Sequence, residues 1–390
     1  MVKRKVLIAV HQLNLGGVQK ALISVLNAID YNKNDVTLYI RKDRVDLLDD
    51  VNENVSKIII NKDKTKYYRK PYSIMLMVKL KLAQICKKDT SKIQQKLNDY
   101  VVSQQMKYEK EHCFSDNTEY DVAVSYIQSH TAKFVCDNIN AQKKVVFYHG
   151  STDEFHSINE YVMERIDSVY CVSKGAMQAV KVFYPQFADK IDYVDNFVDY
   201  KKIRQDAKAF DPEYEKDKLI ICSCGRMTKV KGFDLAVKSA KILKDNGVDF
   251  KWYFVGDGVE RVNIEVLISE RNLNDNIVIT GLVNNPYPYI NNCDIYVNPS
   301  YEEAHPLSII EAHIMGSMVV ATATVGGQAV VSNMENGVIS EINEASIAEK
   351  IMLLKSDEAL QRRIKDNLIK KDYEDDYKIF CEKWEKLLEE

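Results

Sequence analysis

The feature that most constrains the fold is an alternation, along nearly the whole chain, of short β-branched apolar runs with longer helical segments. Buried parallel strands are continuous apolar runs joined by helical crossovers, so this alternation is typical of parallel α/β sheets. The strands predicted in the first half are Lys5–His11, Asp35–Ile40, Lys57–Asn61, Asp121–Tyr126, Lys144–His149, Ser168–Val172 and Lys190–Asp195. Those predicted in the second half are Leu219–Cys224, Lys251–Gly256, Ile277–Thr280, Ile295–Asn298 and Val319–Thr322.

The number of strands and the length of 390 residues predict two domains, since a single core rarely grows that large. A polar, charged stretch over residues 196–218 fits a hinge between them. We therefore expect an N-terminal domain over 1–198 and a C-terminal domain over 199–372, with a cleft between them. Residues 373–390 have apolar side chains at helical spacing and predict a closing helix.

Composition excludes several classes of protein. The formal charge of −3 provides no overall positive field, so we expect no nucleic acid partner. The eight cysteines have no paired metal spacing, which favours a reduced, cytoplasmic protein. No apolar run approaches the length of a membrane-spanning helix, so the chain is expected at most to lie on a membrane.

The stretch from Glu303 to Glu311 carries the most specific chemistry. It follows an apolar strand and contains Pro306, which suits the first turn of a helix, while Gly316 suits the end of that helix. The free N–H groups at a helix start bind a diphosphate, and two carboxylates nearby accept hydrogen bonds from hydroxyl groups. These parts match a nucleotide sugar, although a capped surface helix with incidental acids explains the nine residues alone.

Three further signals lie at the ends of predicted strands, where a doubly wound sheet binds its ligands. Arg226 and Lys231 follow the first strand of the second domain and would neutralise a diphosphate. Gly16–Gly17 follows the first strand of the chain and His149 closes an apolar strand. Taken alone, these features favour a basic surface loop, a tight turn and a structural histidine.

Together these motifs resemble the retaining glycosyltransferases of GT-B fold, family four, also called glycosyl transferases group 1. The resemblance spans nearly the whole chain and implies two Rossmann-like domains facing a central cleft, with the last helix returning to the N-terminal domain. It implies that Glu303 contacts the donor sugar and Glu311 the ribose. Ala304 and His305 depart from the family, which has glycine and an aromatic residue there, so donor preference is expected to reside at this point.

The same resemblance implies the remaining site residues. Arg226 and Lys231 hold the diphosphate, and His149 orients the sugar, so the catalytic set is His149, Glu303, Arg226 and Lys231. The donor-binding residues implied in addition are Gly16, Gly17, Gly256, Gly281, Leu282, Ala304, His305, Pro306, Leu307 and Glu311. Transfer is implied to retain the anomeric configuration, without a metal or other cofactor, from a nucleotide-diphosphate sugar, of which UDP-sugars are favoured.

A basic segment interrupts the α/β pattern in the first domain. Residues 57–110 contain fourteen Lys or Arg and four Asp or Glu, a local charge of +10. A helix near 73–88 places Lys79, Lys81, Lys87 and Lys88 among apolar residues, as in helices that lie on anionic membranes. A helix packed on the core, with a solvated basic face, is the alternative. We treat about 62–112 as a helical insertion.

The expected acceptor is a saccharide or a polyprenyl-diphosphate-linked saccharide at the inner face of the membrane, in bacterial cell-surface polysaccharide synthesis. Two alternatives share the fold. A nucleotide-sugar 2-epimerase would use acids and a histidine in the same cleft. A non-catalytic partner subunit of a glycosyltransferase would retain the fold without its chemistry.

Overall fold

The computed structural model describes residues 2–61, 70–85, 89–115, 117–150, 160–215 and 217–389. It contains two parallel β-sheets. The strands of the first sheet are β1 Arg4–Val10, β2 Asn34–Ile40, β3 Lys57–Ile60, β4 Tyr120–Ser125, β5 Ala141–Tyr148, β6 Ser168–Cys171 and β7 Ile191–Tyr193. Those of the second sheet are β8 Leu219–Cys224, β9 Phe250–Val255, β10 Ile277–Gly281, β11 Ile295–Asn298, β12 Met318–Thr322 and β13 Val338–Ser340.

The strand order is β3-β2-β1-β4-β5-β6-β7 in the seven-stranded sheet and β10-β9-β8-β11-β12-β13 in the six-stranded sheet. In both sheets the order reverses at the first strand, which places the crevice at the carboxyl ends of β1 and β8. All these neighbours pair in parallel, in the register Val10↔Ile40 at the end of β1 and Cys224↔Val255 at the end of β8.

Helices cover both faces of each sheet. In the first half of the chain they are α1 Gly17–Ala28, α2 Pro71–Ile85, α3 Ser91–Cys113, α4 His130–Asn138, α5 Glu160–Arg165, α6 Lys174–Phe183 and α7 Tyr200–Asp206. In the second half they are α8 Phe233–Asp245, α9 Arg261–Glu270, α10 Tyr287–Asn291, α11 Leu307–Ile314, α12 Val325–Val330, α13 Glu344–Ser356, α14 Glu358–Lys370 and α15 Tyr373–Glu389.

The predicted architecture of two Rossmann-like domains is confirmed. Every predicted strand is present, with ends that differ by a few residues. The sequence analysis missed β13, because only Val338, Ile339 and Ser340 form it and the run is too short for a period. The helix starts near Pro306 as predicted, with Pro306 immediately before α11, and Gly316 follows the helix with φ 78°.

Helix α15 ends the chain in the core of the N-terminal domain. Its Trp384, which is 1% exposed, stacks on Phe147 of β5 with ring centroids 4.9 Å apart and planes inclined by 2°. Phe380 and Leu387 of the same helix lie in the same apolar cluster. The N-terminal domain is therefore completed by residues that follow the C-terminal domain in the sequence.

The basic segment forms a helical hairpin on the N-terminal domain. Leu76 of α2 packs on Leu97 and Val101 of α3 in a small cluster of their own. Lys79 and Lys81 are exposed on α2, whereas Lys87 and Lys88 lie outside the described residues. The predicted helix is therefore present over Pro71–Ile85 and packs along one side only.

We expect Trp384→Ala to lower the free energy of unfolding by about 3–5 kcal/mol, because a large side chain leaves a cavity in a close-packed core. Urea unfolding followed by far-ultraviolet circular dichroism measures the loss. The control is Ile379→Ala on the same helix, where the side chain is 52% exposed. An equal effect of both substitutions would contradict the docking of α15 described above.

Candidate active site

The carboxyl ends of both sheets meet at a cavity of about 490 Å³ between the domains. Each of its walls begins at a strand end: the loop after β1, the ends of β5, β8 and β9, and the loop between β11 and α11. The residues predicted for the site that line it are Gly16, Gly17, His149, Arg226, Lys231, Gly256, Leu282, Glu303, Ala304, His305, Pro306, Leu307 and Glu311.

Glycines allow the loops of the C-terminal wall to approach each other closely. Gly232 follows Lys231 with φ 64°, and a Cβ there would lie 2.0 Å from the Pro299 carbonyl oxygen. Gly256 has φ 146°, and a Cβ there would lie 2.0 Å from the carbonyl oxygen of Gly225. Because no other residue fits either place, these contacts fix the loop that carries Arg226 and Lys231.

Lys231 and Glu303 form an ion pair on the C-terminal wall. Glu303 also accepts a hydrogen bond of 3.1 Å from the Ser300 hydroxyl, and its side chain is 11% exposed. The loop is held from behind by the Gly326 N–H, which donates to the Glu303 carbonyl oxygen at 2.8 Å. A cation and a carboxylate are thus fixed side by side, ready to exchange partners with a ligand that carries phosphates and hydroxyls.

Glu311 lies deeper in the wall and is bound by both domains. Its carboxylate accepts a hydrogen bond of 3.0 Å from the Tyr287 hydroxyl and lies 3.5 Å from the Nζ of Lys20 on α1. Lys20 Nζ also donates to the Tyr287 hydroxyl oxygen at 3.1 Å. Burial, with Glu311 beside it, raises the pKa of Tyr287 well above its usual value, so the phenol donates as a neutral group.

Two histidines complete the cavity from opposite domains. Burial lowers the pKa of His149 to about 3 and that of His305 to about 4, so both rings are neutral near pH 7. The His149 backbone N–H donates to Gln128 Oε1 at 3.1 Å, which fixes the end of β5. Neutral imidazoles act as hydrogen-bond donors and acceptors toward hydroxyl groups rather than as counter-charges for phosphates.

Some of the predicted residues lie outside the cavity. Gly281 does not line the cavity; it pairs with Gly256 through an isolated backbone bridge behind the wall. Lys79 and Lys81 lie on α2, away from the cavity. Arg226 lies across the cleft from the glycine loop, with its Nη2 3.9 Å from the place of a Cβ on Gly16.

Sequence reasoning missed several residues of the site. Lys20 lines the cavity, as do Asn196, Asp257 and Asn284. The position of Lys20 on α1 did not indicate a role in the site, because a lysine three positions after Gly17 is typical of a solvated helix face. Only the approach of the two domains places it against Tyr287 and Glu311.

A second cavity, of about 740 Å³, lies behind α11, between the hinge residues 193–198 and helices α14 and α15. His313 of α11 lines it and is 7% exposed. Burial lowers the pKa of His313 to about 4, and the charge of Lys371 adds to this effect. The helix that carries Glu311 is therefore backed by a neutral histidine.

In the described ranges, the acidic, histidine and cysteine side chains form no group of three or more that would suit a metal ion. Within those same ranges, no helix has both the length and the apolar character required to cross a bilayer.

Comparison with known proteins shows which family the chain resembles. Residues 204–371 match the family Glycosyl transferases group 1. The chain is 28% identical over 203 residues to the N-acetylgalactosamine-N,N'-diacetylbacillosaminyl-diphospho-undecaprenol 4-alpha-N-acetylgalactosaminyltransferase of Campylobacter jejuni, covering 52% of this chain and 54% of that protein. It is 30% identical over 181 residues to the capsular polysaccharide biosynthesis glycosyltransferase CapM of Staphylococcus aureus, covering 44% and 47%. The chain thus spans about half the length of these curated relatives.

The chain also matches a solved structure over almost the full length of both proteins. The crystal structure of HepE from Anabaena in complex with UDP and glucose superposes with a TM-score of 0.67 at 15% identity, covering 94% of this chain and 93% of that one. The resemblance to group 1 glycosyltransferases and the GT-B architecture predicted from the sequence are therefore confirmed.

Replacing His313 with Gln is expected to change how stability depends on pH. Below its unfolded pKa of 6.5 the unfolded chain binds a proton that the folded protein, with a pKa of about 4, does not bind. The free energy of unfolding of the wild type should therefore fall as the pH is lowered. Its excess over the free energy of unfolding of His313→Gln should decrease by about 2 kcal/mol between about pH 7.5 and about pH 5. Denaturant titrations at both pH values measure this, with His112→Gln on the exposed face of α3 as control. A pH-independent difference would contradict the shift.

Proposed function

We propose that this chain transfers a sugar from a nucleotide-diphosphate sugar to a saccharide acceptor, since residues 204–371 match the family Glycosyl transferases group 1. The observation that carries the proposal is that Arg226, Lys231, Glu303 and Glu311 line one cavity between the two domains. Cations suited to a diphosphate and carboxylates suited to hydroxyls thus occupy a single cleft.

In the proposed complex, Arg226 and Lys231 bind the diphosphate, and Glu311 accepts hydrogen bonds from the ribose. Glu303 turns from Lys231 toward hydroxyls of the donor sugar, and His149 holds the sugar on its other side. Cations fixed beside the leaving diphosphate stabilise the negative charge that grows there. These roles require only small movements of groups that already lie at the cavity wall.

The proposed reaction retains the anomeric configuration. The bond between the anomeric carbon and the diphosphate oxygen breaks while the acceptor oxygen forms its bond on the same face. The acceptor hydroxyl proton passes to a phosphate oxygen of the leaving nucleotide. The products are a glycoside and a nucleoside diphosphate. Because Arg226 and Lys231 supply positive charge, the proposal includes no metal ion.

A UDP-sugar is the proposed donor and bacterial cell-surface polysaccharide the proposed product. The donor assignment is supported by HepE, whose structure holds UDP and glucose in the same fold. The setting is supported by the relatives from Campylobacter jejuni and Staphylococcus aureus, whose names specify a diphospho-undecaprenol acceptor and a capsular polysaccharide. A saccharide linked to a polyprenyl diphosphate is the proposed acceptor.

The proposal extends to attachment at an anionic membrane through α2. Val78 and Leu82, at helical spacing on this helix, are 53% and 57% exposed, and Lys79 and Lys81 are exposed among them. Such a face buries its apolar side chains among lipid headgroups while its lysines contact anionic lipids. A lipid-linked acceptor would then be reached from the membrane surface.

Lys231→Ala is expected to lower turnover about 10²–10³-fold, the usual loss when one fixed charge that stabilises the transition state is removed. Release of nucleoside diphosphate from a panel of nucleotide sugars, with acceptor present, measures the rate. Lys229→Ala is the matched control, since Lys229 lies on the same turn but outside the cavity. Rapid isomerisation of the donor without acceptor would refute transfer in favour of epimerisation, and wild-type polysaccharide synthesis by Lys231→Ala in cells would favour a non-catalytic subunit.

Flotation with liposomes tests the membrane proposal. The protein should float with vesicles that contain phosphatidylglycerol, and Lys79→Gln with Lys81→Gln should weaken binding by about 2 kcal/mol, or roughly 30-fold, since each lysine contributes about 1 kcal/mol. Val78→Ser with Leu82→Ser should weaken it further, whereas Val262→Ser, at an exposed site on α9, should not. Binding that is independent of anionic lipid and of these substitutions would refute the electrostatic part.

A further inference from the structure

A group of basic residues lies at the carboxyl edge of the first sheet, beside the active-site cavity but outside its lining. The Arg41 N–H donates to the Val10 carbonyl oxygen at 3.0 Å, so the residues that follow β1 and β2 lie next to each other. The Tyr126 N–H donates to the Ala9 carbonyl oxygen at 2.8 Å, which adds the loop that leads from β4 into α4. His11, Arg41 and the start of α4 therefore share one edge.

One of these cations is already balanced inside the protein. Arg41 is buried and holds Glu109 of α3 through two nitrogens, with Nη2 to Oε2 at 2.7 Å and Nε to Oε1 at 3.1 Å. Asn61, after β3, donates to the same carboxylate at 3.2 Å. Arg41 and Glu109 are almost completely buried. The charge of Arg41 is therefore balanced inside the protein and does not face a ligand.

Two cations near this buried pair form no ion pair among the described residues. Lys42 and Arg44 are exposed, and in the part of the chain that the structure describes neither has a carboxylate within ion-pair distance. Burial and the charges of Lys42, Arg41, His130 and Arg44 together lower the pKa of His11 to about 4. Partial desolvation and the charges of Arg44 and Arg41 also lower the pKa of Lys42. The edge therefore gathers cations that form no ion pair among the described residues, although Asp43 and Asp46 belong to the same loop.

The start of α4 adds donors to this edge. The helix has nine residues, begins at His130, and the Ser129 side chain does not cap it. Thr131, in the first turn, is 1% exposed, and its hydroxyl has no hydrogen-bond partner among the described residues. Uncapped N–H groups at a helix start and a spare hydroxyl are groups that bind phosphate oxygens.

Two connections place this edge beside the reaction site. The loop that begins at His11 ends at Gly16 of the cavity, and five residues span at most about 18 Å. Gln128, just before α4, accepts the hydrogen bond from the His149 N–H of the cavity wall. The Leu13 N–H donates to the Arg44 carbonyl oxygen at 2.7 Å, which ties the two strand-end loops together. A ligand that extends from the cavity along the N-terminal domain would meet these cations.

We propose that Lys42, Arg44, His11 and the first turn of α4 form a phosphate-binding site for the acceptor, separate from the diphosphate site of the donor. This inference rests on the proposed transferase function and restricts its acceptors to those that carry a phosphate group near the sugar to be extended. Lys42 and Arg44 neutralise the anion, and neutral His11 donates a hydrogen bond. The phosphate is that of a diphosphate linker or of a phosphodiester polymer.

Isothermal titration with inorganic diphosphate tests the site in full-length protein whose donor site is removed by Arg226→Gln with Lys231→Gln. We expect saturable binding that falls at least about tenfold when Lys42→Gln and Arg44→Gln are added, since each phosphate contact of a cation contributes about 1 kcal/mol or more. Lys92→Gln with Lys96→Gln, two exposed lysines of α3, is the control of equal charge and should leave binding unchanged. Thermal unfolding of each variant verifies that it is folded.

The outcomes separate this inference from the proposed function. No saturable binding of diphosphate, or equal loss in the α3 control, overturns the site. If wild-type protein binds no nucleoside diphosphate but inorganic diphosphate still binds through Lys42 and Arg44, transfer fails while the anion site stands. A parallel titration with dimethyl phosphate identifies the source: tighter binding of diphosphate indicates a diphosphate linker, and tighter binding of the diester indicates a phosphodiester polymer.

Discussion

The contact among Lys20, Tyr287 and Glu311 is the interaction on which the site depends. Glu311 is only 5% exposed, and a carboxylate in that position needs both hydrogen bonds and a positive charge close by. The C-terminal domain supplies the hydrogen bond from Tyr287, and the N-terminal domain supplies the charge from Lys20. An apolar cluster that includes Ala21 and Leu307 surrounds the contact. The two domains are therefore joined by polar contacts at the wall of the cavity.

Much of the fold could be predicted because a buried parallel strand appears in the sequence as a continuous apolar run. The runs that became β1 and β8 are apolar on both faces, as both sides of each sheet are covered. β13, with three residues, is too short to form such a run. Apart from Glu311, which lies inside α11, the residues of the cavity that the sequence predicted follow strands or open helices, where a doubly wound sheet binds its ligands.

What the sequence did not predict depends on contacts between distant segments. Lys20 and Tyr287 are 267 positions apart, and neither local pattern indicates that they meet. In the basic segment, the sequence likewise did not predict which side chains of α2 are buried. Its composition indicated an amphipathic helix, but only the packing of α3 determines that Leu76 is buried while Val78 remains exposed. The roles of the individual site residues in binding and catalysis stay predictions.

The return of α15 to the N-terminal domain affects the order in which the chain folds. Trp384 fills the core beside Phe147, yet it is synthesised after every strand of the second sheet. A ribosome-bound chain therefore has a complete C-terminal core while the N-terminal core still lacks one of its largest side chains. The C-terminal domain behaves as an insertion within a discontinuous N-terminal domain, joined to it by two crossings of the chain. A relative rotation of the domains must therefore bend both crossings together.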